Sequence, residues 1–104
     1  MKIVKVTYTT QTEFAEQNQS NIKIVMNDLQ NLNYPGILYH VCLNPDGRTF
    51  VHTAFFKQEE DQKLLLDLPS FKNFQEQQKM SKPEVAPKQE LVTLVGASGN
   101  IFRS

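Results

Sequence analysis

Between Gly36 and Lys57 the chain reads GILYHVCLNPDGRTFVHTAFFK, two runs of β-branched and aromatic residues around Asn44-Pro45-Asp46-Gly47. That pattern predicts a β-hairpin. Alternation assigns Ile37, Tyr39, Val41 and Leu43 to one face, together with Val51 and Phe55. It assigns Leu38, Cys42, Phe50, Ala54 and Phe56 to the other. A sheet with one wet face alternates apolar and polar residues. This hairpin is apolar on both faces and needs cover on both. A chain of 104 residues is expected to supply one cover from its own helices and to take the other from a second copy, giving a homodimer.

The same reading extends along the chain. Lys2–Thr9 alternates as a strand, with Val4, Val6 and Tyr8 on one side and Ile3, Lys5, Thr7 and Thr9 on the other. Thr10-Gln11-Thr12-Glu13 has capping-box spacing. It opens a helix expected to run to about Leu32, with Phe14, Ile22, Val25, Met26, Leu29 and Leu32 as its apolar stripe. Asn33-Tyr34-Pro35-Gly36 ends it. After the hairpin, Gln58-Glu59-Glu60-Asp61 places acidic residues where a helix dipole is positive. Leu64, Leu65, Leu68, Phe71 and Phe74 supply that region's buried side. Pro69 fits the first turn of a new helix, so two short helices meeting near Leu68 are expected. Residues 79–89 read as a polar loop, Glu90–Val95 as the last strand and residues 96–104 as a docking tail. The order is strand, helix, strand, strand, helix, strand. It predicts one ferredoxin-like α+β domain spanning residues 1–104, with helices on one face of a four-stranded antiparallel sheet. Val4, Val6, Tyr8, Tyr39, Val41, Val51 and Phe55 are expected on the helix-free face, as the dimer contact.

Composition narrows the partners. Eleven acidic and eleven basic residues cancel, whereas nucleic acid or an anionic membrane would favour a basic surface. No apolar run approaches the ~20 residues of a membrane span. The N-terminus enters strand-like sequence with no signal-peptide pattern, and the single cysteine, Cys42, fits a reducing cytoplasm.

The segment Phe56-Lys57-Gln58-Glu59-Glu60, then leucines, then Pro69-Ser70-Phe71-Lys72-Asn73-Phe74 resembles the dimeric α/β-barrel superfamily. Within it, the chain is most similar to the small antibiotic biosynthesis monooxygenases. The resemblance covers nearly the whole chain in topology and this segment in motif. It implies a cofactor-independent monooxygenase acting on a small aromatic or polyketide-like substrate. Its alternative is a non-catalytic ligand-binding or stress-related barrel protein, because one fold hosts many chemistries. The heme-degrading branch of the superfamily uses an asparagine, a tryptophan and a histidine. Those positions fall near Thr7, Phe56 and Gln77 here, so heme chemistry is disfavoured. The resemblance also implies that the faces of Thr7 and Phe56 line the ligand cavity. Phe50, His52 and Ala54 share the face of Phe56.

Two histidines are the candidate chemistry. If Pro45-Asp46-Gly47 closes the hairpin with Gly47 in the left-handed region, His40 faces His52 across the strands, on the helix side with Cys42. Three readings follow. The pair is structural; or it lines a pocket and polarises or deprotonates a ligand, since imidazole titrates near neutrality; or it holds a metal with Cys42, against which stands the lack of a clear third ligand. No metal and no cofactor are therefore expected. Asn18 interrupts the first helix's apolar stripe, either as a wet stripe edge or as a polar group aimed into the cavity. Tyr8 and Tyr39 are expected as interface tyrosines. Gly96-Ala97-Ser98-Gly99 has no helix after it to complete an anion site, and no serine stands in a nucleophile elbow.

Overall fold

A computed structural model describes residues 1–102. Its elements are β1 (Lys2–Thr9), a short 3-10 turn (Thr12–Phe14), α1 (Ala15–Leu32), β2 (Ile37–Leu43), β3 (Thr49–Phe56), α2 (Glu59–Asp67), α3 (Pro69–Met80) and β4 (Val85–Val92). The four strands form one sheet in the order β2-β3-β1-β4, every neighbouring pair antiparallel. This is the expected ferredoxin-like α+β fold. Residues 103 and 104 of the expected tail lie outside the described residues.

Helix boundaries follow local chemistry. The helical region between the hairpin and β4 divides at Leu68, and Pro69 occupies the first turn of α3, where its missing N–H costs nothing. Asp61 Oδ2 accepts the backbone N–H of Gln58 at 2.7 Å and caps α2. At α1 the expected capping box is absent. Thr10 is buried, and both its N–H and its hydroxyl donate to the carbonyl of Arg48, at 2.9 and 3.3 Å. The hairpin loop has taken the hydroxyl that would have capped the helix, so the chain enters α1 through a 3-10 turn.

The hairpin closes on four residues, Pro45 to Arg48, rather than three. Asn44 N–H donates to the Thr49 carbonyl at 2.8 Å, and Gly47 N–H to the Asn44 carbonyl at 3.0 Å. Gly47 sits at φ 77°, as a left-handed position requires. The extra residue is held by Asp46, whose carboxylate accepts the backbone N–H groups of Arg48 and Thr49 at 3.0 and 2.9 Å. Aspartate commonly binds the backbone two residues on in this way. One added residue shifts β2 by one position against β3, so Val41 faces His52 and His40 faces Thr53.

A one-residue shift exchanges the faces of a strand, and several expectations change with it. Ile37, Tyr39 and Val41 pack with the core under the helices, not on the helix-free face. Independently of the loop, Val4, Val6 and Tyr8 of β1 pair with Ala54, His52 and Phe50 and face the helices, not the helix-free side. Thr7 pairs with Val51 and lies on the other side with His40 and Cys42. Val51 and Phe55 are on the helix-free face as expected. The two histidines are therefore not cross-strand neighbours, and their side chains project from opposite sides of the sheet.

β4 begins at Val85, well before the apolar run that predicted it. A polar stretch, Lys88-Gln89-Glu90, pairs with β1 through its backbone, with a register irregularity between Thr7 and Thr9. Pro87 lies beside that irregularity on an edge strand, where a missing N–H is tolerated. The core is built from Val4, Tyr8, Phe50, Ala54 and Phe56 of the sheet against Ile22, Val25, Leu65, Phe71 and Phe74 of the helices. Where α1 meets α3, a ladder of amides replaces apolar contact. Gln17 donates to Asn21 at 2.9 Å, Asn21 to Gln77 at 3.0 Å and Gln77 to Asn73 at 3.1 Å.

Candidate functional site

His52 projects from the middle of β3 into the space between sheet and helices and is 5% exposed. Both of its ring nitrogens are engaged by tyrosines. The Tyr8 hydroxyl lies 2.8 Å from Nε2 and the Tyr39 hydroxyl 2.5 Å from Nδ1. Behind Tyr8, the fully buried Asn18 donates through Nδ2 to the Tyr8 oxygen at 2.8 Å. The chain Asn18–Tyr8–His52–Tyr39 thus joins α1, β1, β3 and β2.

With the Asn18 amide oriented Nδ2 toward Tyr8, its Oδ1 has no hydrogen-bond partner among the described residues, and for that orientation proton counting gives the chain a direction. The Tyr8 oxygen already accepts from Asn18. If it also accepted from His52, its own proton would be stranded in a buried position, at a cost. Tyr8 therefore donates to Nε2, which places the imidazole proton on Nδ1, facing the Tyr39 oxygen. In that orientation the Tyr39 proton is the one left over, and Tyr39 lines the cavity beside Tyr8 and His52.

Burial keeps every member neutral. Desolvation pushes the His52 pKa down to about 4. It raises the Tyr8 hydroxyl well above the ordinary phenol value, an effect the Asn18 hydrogen bond opposes. It raises Tyr39 also, reinforced by the repulsion that a charge on Tyr8 would exert. Charging any of them would strip water from an ion with no counter-charge beside it. Aromatic rings hold the imidazole in place: Phe74 at 5.3 Å, Tyr8 at 5.2 Å and Tyr39 at 5.8 Å between centroids.

The polar chain opens on a cavity of about 270 Å³ between the sheet and α2–α3. Val4, Ala54, Phe56, Leu65, Phe71 and Phe74 give it apolar walls, and Tyr8, Tyr39 and His52 line its polar side with Gln62, Gln75, Gln78 and Gln89. Such a combination, apolar walls with a few fixed polar groups, is the usual anatomy of a small-molecule site. A second, more open hollow of about 530 Å³ runs between α1 and β2.

The candidates from sequence divide between these places. His52 and Phe56 line the first cavity, with Asn18 behind Tyr8. Phe50 is buried and stacks on Tyr8 at 5.6 Å and 16°, and it borders the α1–β2 hollow. His40 and Cys42 are exposed and border that same hollow. His40 rests against Phe55 at 6.0 Å. Thr7 is on the helix-free face. The arrangement of His40, His52 and Cys42 around a metal is thereby ruled out, since the register separates them. Among the described residues, no group of three or more His, Cys, Asp or Glu side chains could hold a metal ion. Tyr8 and Tyr39, expected at an interface, face the helices instead: the loop register turned Tyr39 inward, whereas β1 is apolar on both sides and its alternation does not say which side is buried. Gln78, another cavity residue, gave no signal in the sequence beyond its helical spacing from Phe71 and Phe74.

No protein-family model matches the chain, and no curated protein matches it. Solved structures do. A protein from Nitrosomonas europaea designated an antibiotic biosynthesis monooxygenase superposes with a TM-score of 0.77 at 13% identity, over 92% of this chain and 100% of that one. One of the same designation from Deinococcus radiodurans gives 0.69 at 21% identity, over 99% and 100%. SnoaB, a cofactor-independent oxygenase from Streptomyces nogalater, solved as a mutant, gives 0.68 at 13% identity, over 95% and 98%. The chain shares the ferredoxin-like fold of these proteins.

Proposed function

We propose that the cavity beside His52 binds a small aromatic or polyketide-like molecule and supports its oxygenation without a cofactor. The carrying observation is the buried hydrogen-bonded chain Asn18–Tyr8–His52–Tyr39 beside a cavity with apolar walls and no charged lining residue; in the proton order argued above, it offers the Tyr39 hydroxyl proton to a ligand. Its likeness in fold to a cofactor-independent oxygenase supports the same reading. The chemistry balances with substrate and dioxygen alone. A methylene carbon becomes a carbonyl, one oxygen atom goes to that carbon and the other leaves as water. Tyr39 donates to the substrate oxygen on which negative charge develops, and such preorganised donors are effective in a dry site. His52, with both nitrogens occupied, orients and polarises Tyr39. His40 has no part in this site.

A second reading is binding without turnover. The observation that favours it is the low pKa of His52, about 4, which makes the imidazole a weak base. Oxygen uptake measured with a panel of small cyclic ketones and hydroxy-aromatics separates the two. Uptake that matches product formation mole for mole and is lost in Tyr39→Phe supports the oxygenase. Saturable binding with no uptake supports the binder. No binding by any compound rejects both.

The protein is also proposed to work as a homodimer through the helix-free face of its sheet. There Leu38, Val51 and Phe55 remain partly open to solvent.

A further inference from the structure

Resting on that reading of the cavity, we infer that Gln78 is its second anchor. Its side-chain N–H donates to a carbonyl-type oxygen of an uncharged ligand whose other polar group meets Tyr39. Gln78 lies on α3 and is 7% exposed. It lines the same cavity as His52 and Tyr39. Its Nε2 is buried and has no hydrogen-bond partner among the described residues. A buried amide donor left unmade is costly, and native structures rarely keep one without a use. The terminal amide torsion is soft, so an N–H reaches the cavity without any change in the helix backbone.

The lining also selects charge. None of the cavity's lining residues is Asp, Glu, Lys or Arg, and burial holds Tyr8, Tyr39 and His52 in their neutral forms. A carboxylate or ammonium ligand would lose its water and gain no counter-ion, which is strongly unfavourable. A neutral ring flanked by two oxygen functions satisfies both donors, Tyr39 O–H on one side and Gln78 N–H on the other. The apolar ring walls then take the remainder of its surface.

Three probes of one size test this: 4-hydroxyacetophenone, 4-ethylphenol and 4-hydroxybenzoate. They share the phenol ring and differ in presenting a carbonyl, no acceptor or a charge. Each is titrated into the full chain, with binding followed by calorimetry and by amide NMR shifts around His52. The expected result is that 4-hydroxyacetophenone binds roughly five- to tenfold more tightly than 4-ethylphenol, the yield of one neutral hydrogen bond, and that 4-hydroxybenzoate is weakest. Gln78→Met keeps side-chain volume and removes the donor. It should bring the two neutral probes together by weakening only the ketone, and Gln78→Leu should repeat the result. Equal affinities in the unsubstituted protein, a preference that survives both substitutions, or a carboxylate that binds best would overturn the role of Gln78 while leaving the cavity reading intact. No binding of any probe near His52 overturns the cavity reading and this one together.

Discussion

At the scale of single residues, His52 couples the site to pH. Its pKa is about 4 in the folded protein, against roughly 6.5 in an unfolded chain. Above pH ~6.5 the group is neutral in both states and contributes no pH dependence. As pH falls below that value the unfolded chain takes up a proton that the native state refuses. Stability therefore declines down to pH ~4, by about 3 kcal/mol in all. Urea melts at a series of pH values should show this slope in the unsubstituted protein and lose it in His52→Phe. An equal slope in both would mean that the imidazole is not the group responsible. Tyr8 and Tyr39 should differ from one another. Tyr8→Phe strands both the Asn18 amide and Nε2 in the interior and should cost about 1–3 kcal/mol. Tyr39→Phe strands one group, the Nδ1–H of His52, so it should cost less in stability than Tyr8→Phe and more in ligand response. Thermal melts with and without 4-ethylphenol distinguish the two patterns.

At the scale of elements, strand and helix identities were legible from periodicity, but faces were not. β1 was readable to the residue. The two-helix reading of residues 57–78 was secured by Pro69 and the acidic first turn of α2. Face assignment in β2 hung on one loop residue. The interaction that set it is Asp46 drawing in the N–H groups of Arg48 and Thr49, which the alternation of the flanking strands does not announce. In β1 both sides carry β-branched or aromatic residues, so alternation alone cannot say which is buried. β4 was placed too late because an edge strand pairs through backbone that its polar side chains do not announce. Two glycines make element-scale predictions. Gly47→Val forces a β-branched residue to φ 77° and should cost about 1–2 kcal/mol. At Gly36 an added Cβ would lie 2.5 Å from Asp61 Oδ2. Gly36→Ala must therefore displace the carboxylate that caps α2, and a lost cap is worth about 1 kcal/mol. Chemical denaturation of each variant measures these costs, and an unchanged midpoint for Gly36→Ala would show that Asp61 has room to move.

At the scale of the molecule, the sheet's two sides have separate work. One is closed by the helices and encloses the cavity. The other carries Leu38, Val51 and Phe55 partly open and is the face proposed above for a dimer contact. Val51→Asp puts a charge into that contact without touching the cavity. Sedimentation should show a dimer for the unsubstituted chain and a monomer for the variant, and a parent chain that is monomeric at micromolar concentration counts against the assembly. The placement of Val51 and Phe55 on the helix-free side is legible in the alternation of β3. How apolar that side is was overstated, because Tyr8, Tyr39 and the valines of β1 turned inward.

The four-residue hairpin loop also bears on how such a protein can change over generations. β2 is an edge strand with a single neighbour, and its side chains alternate between cavity side and open side. Loss of one residue from the loop would slide the strand by one step, carrying Tyr39 out and bringing His40 in beside His52. No codon for a site residue would have to alter. The polar equipment of the cavity is thus more easily rewritten by a small deletion at the rim than by substitution within. Relatives that differ in loop length should be expected to differ in chemistry even where their strand sequences agree.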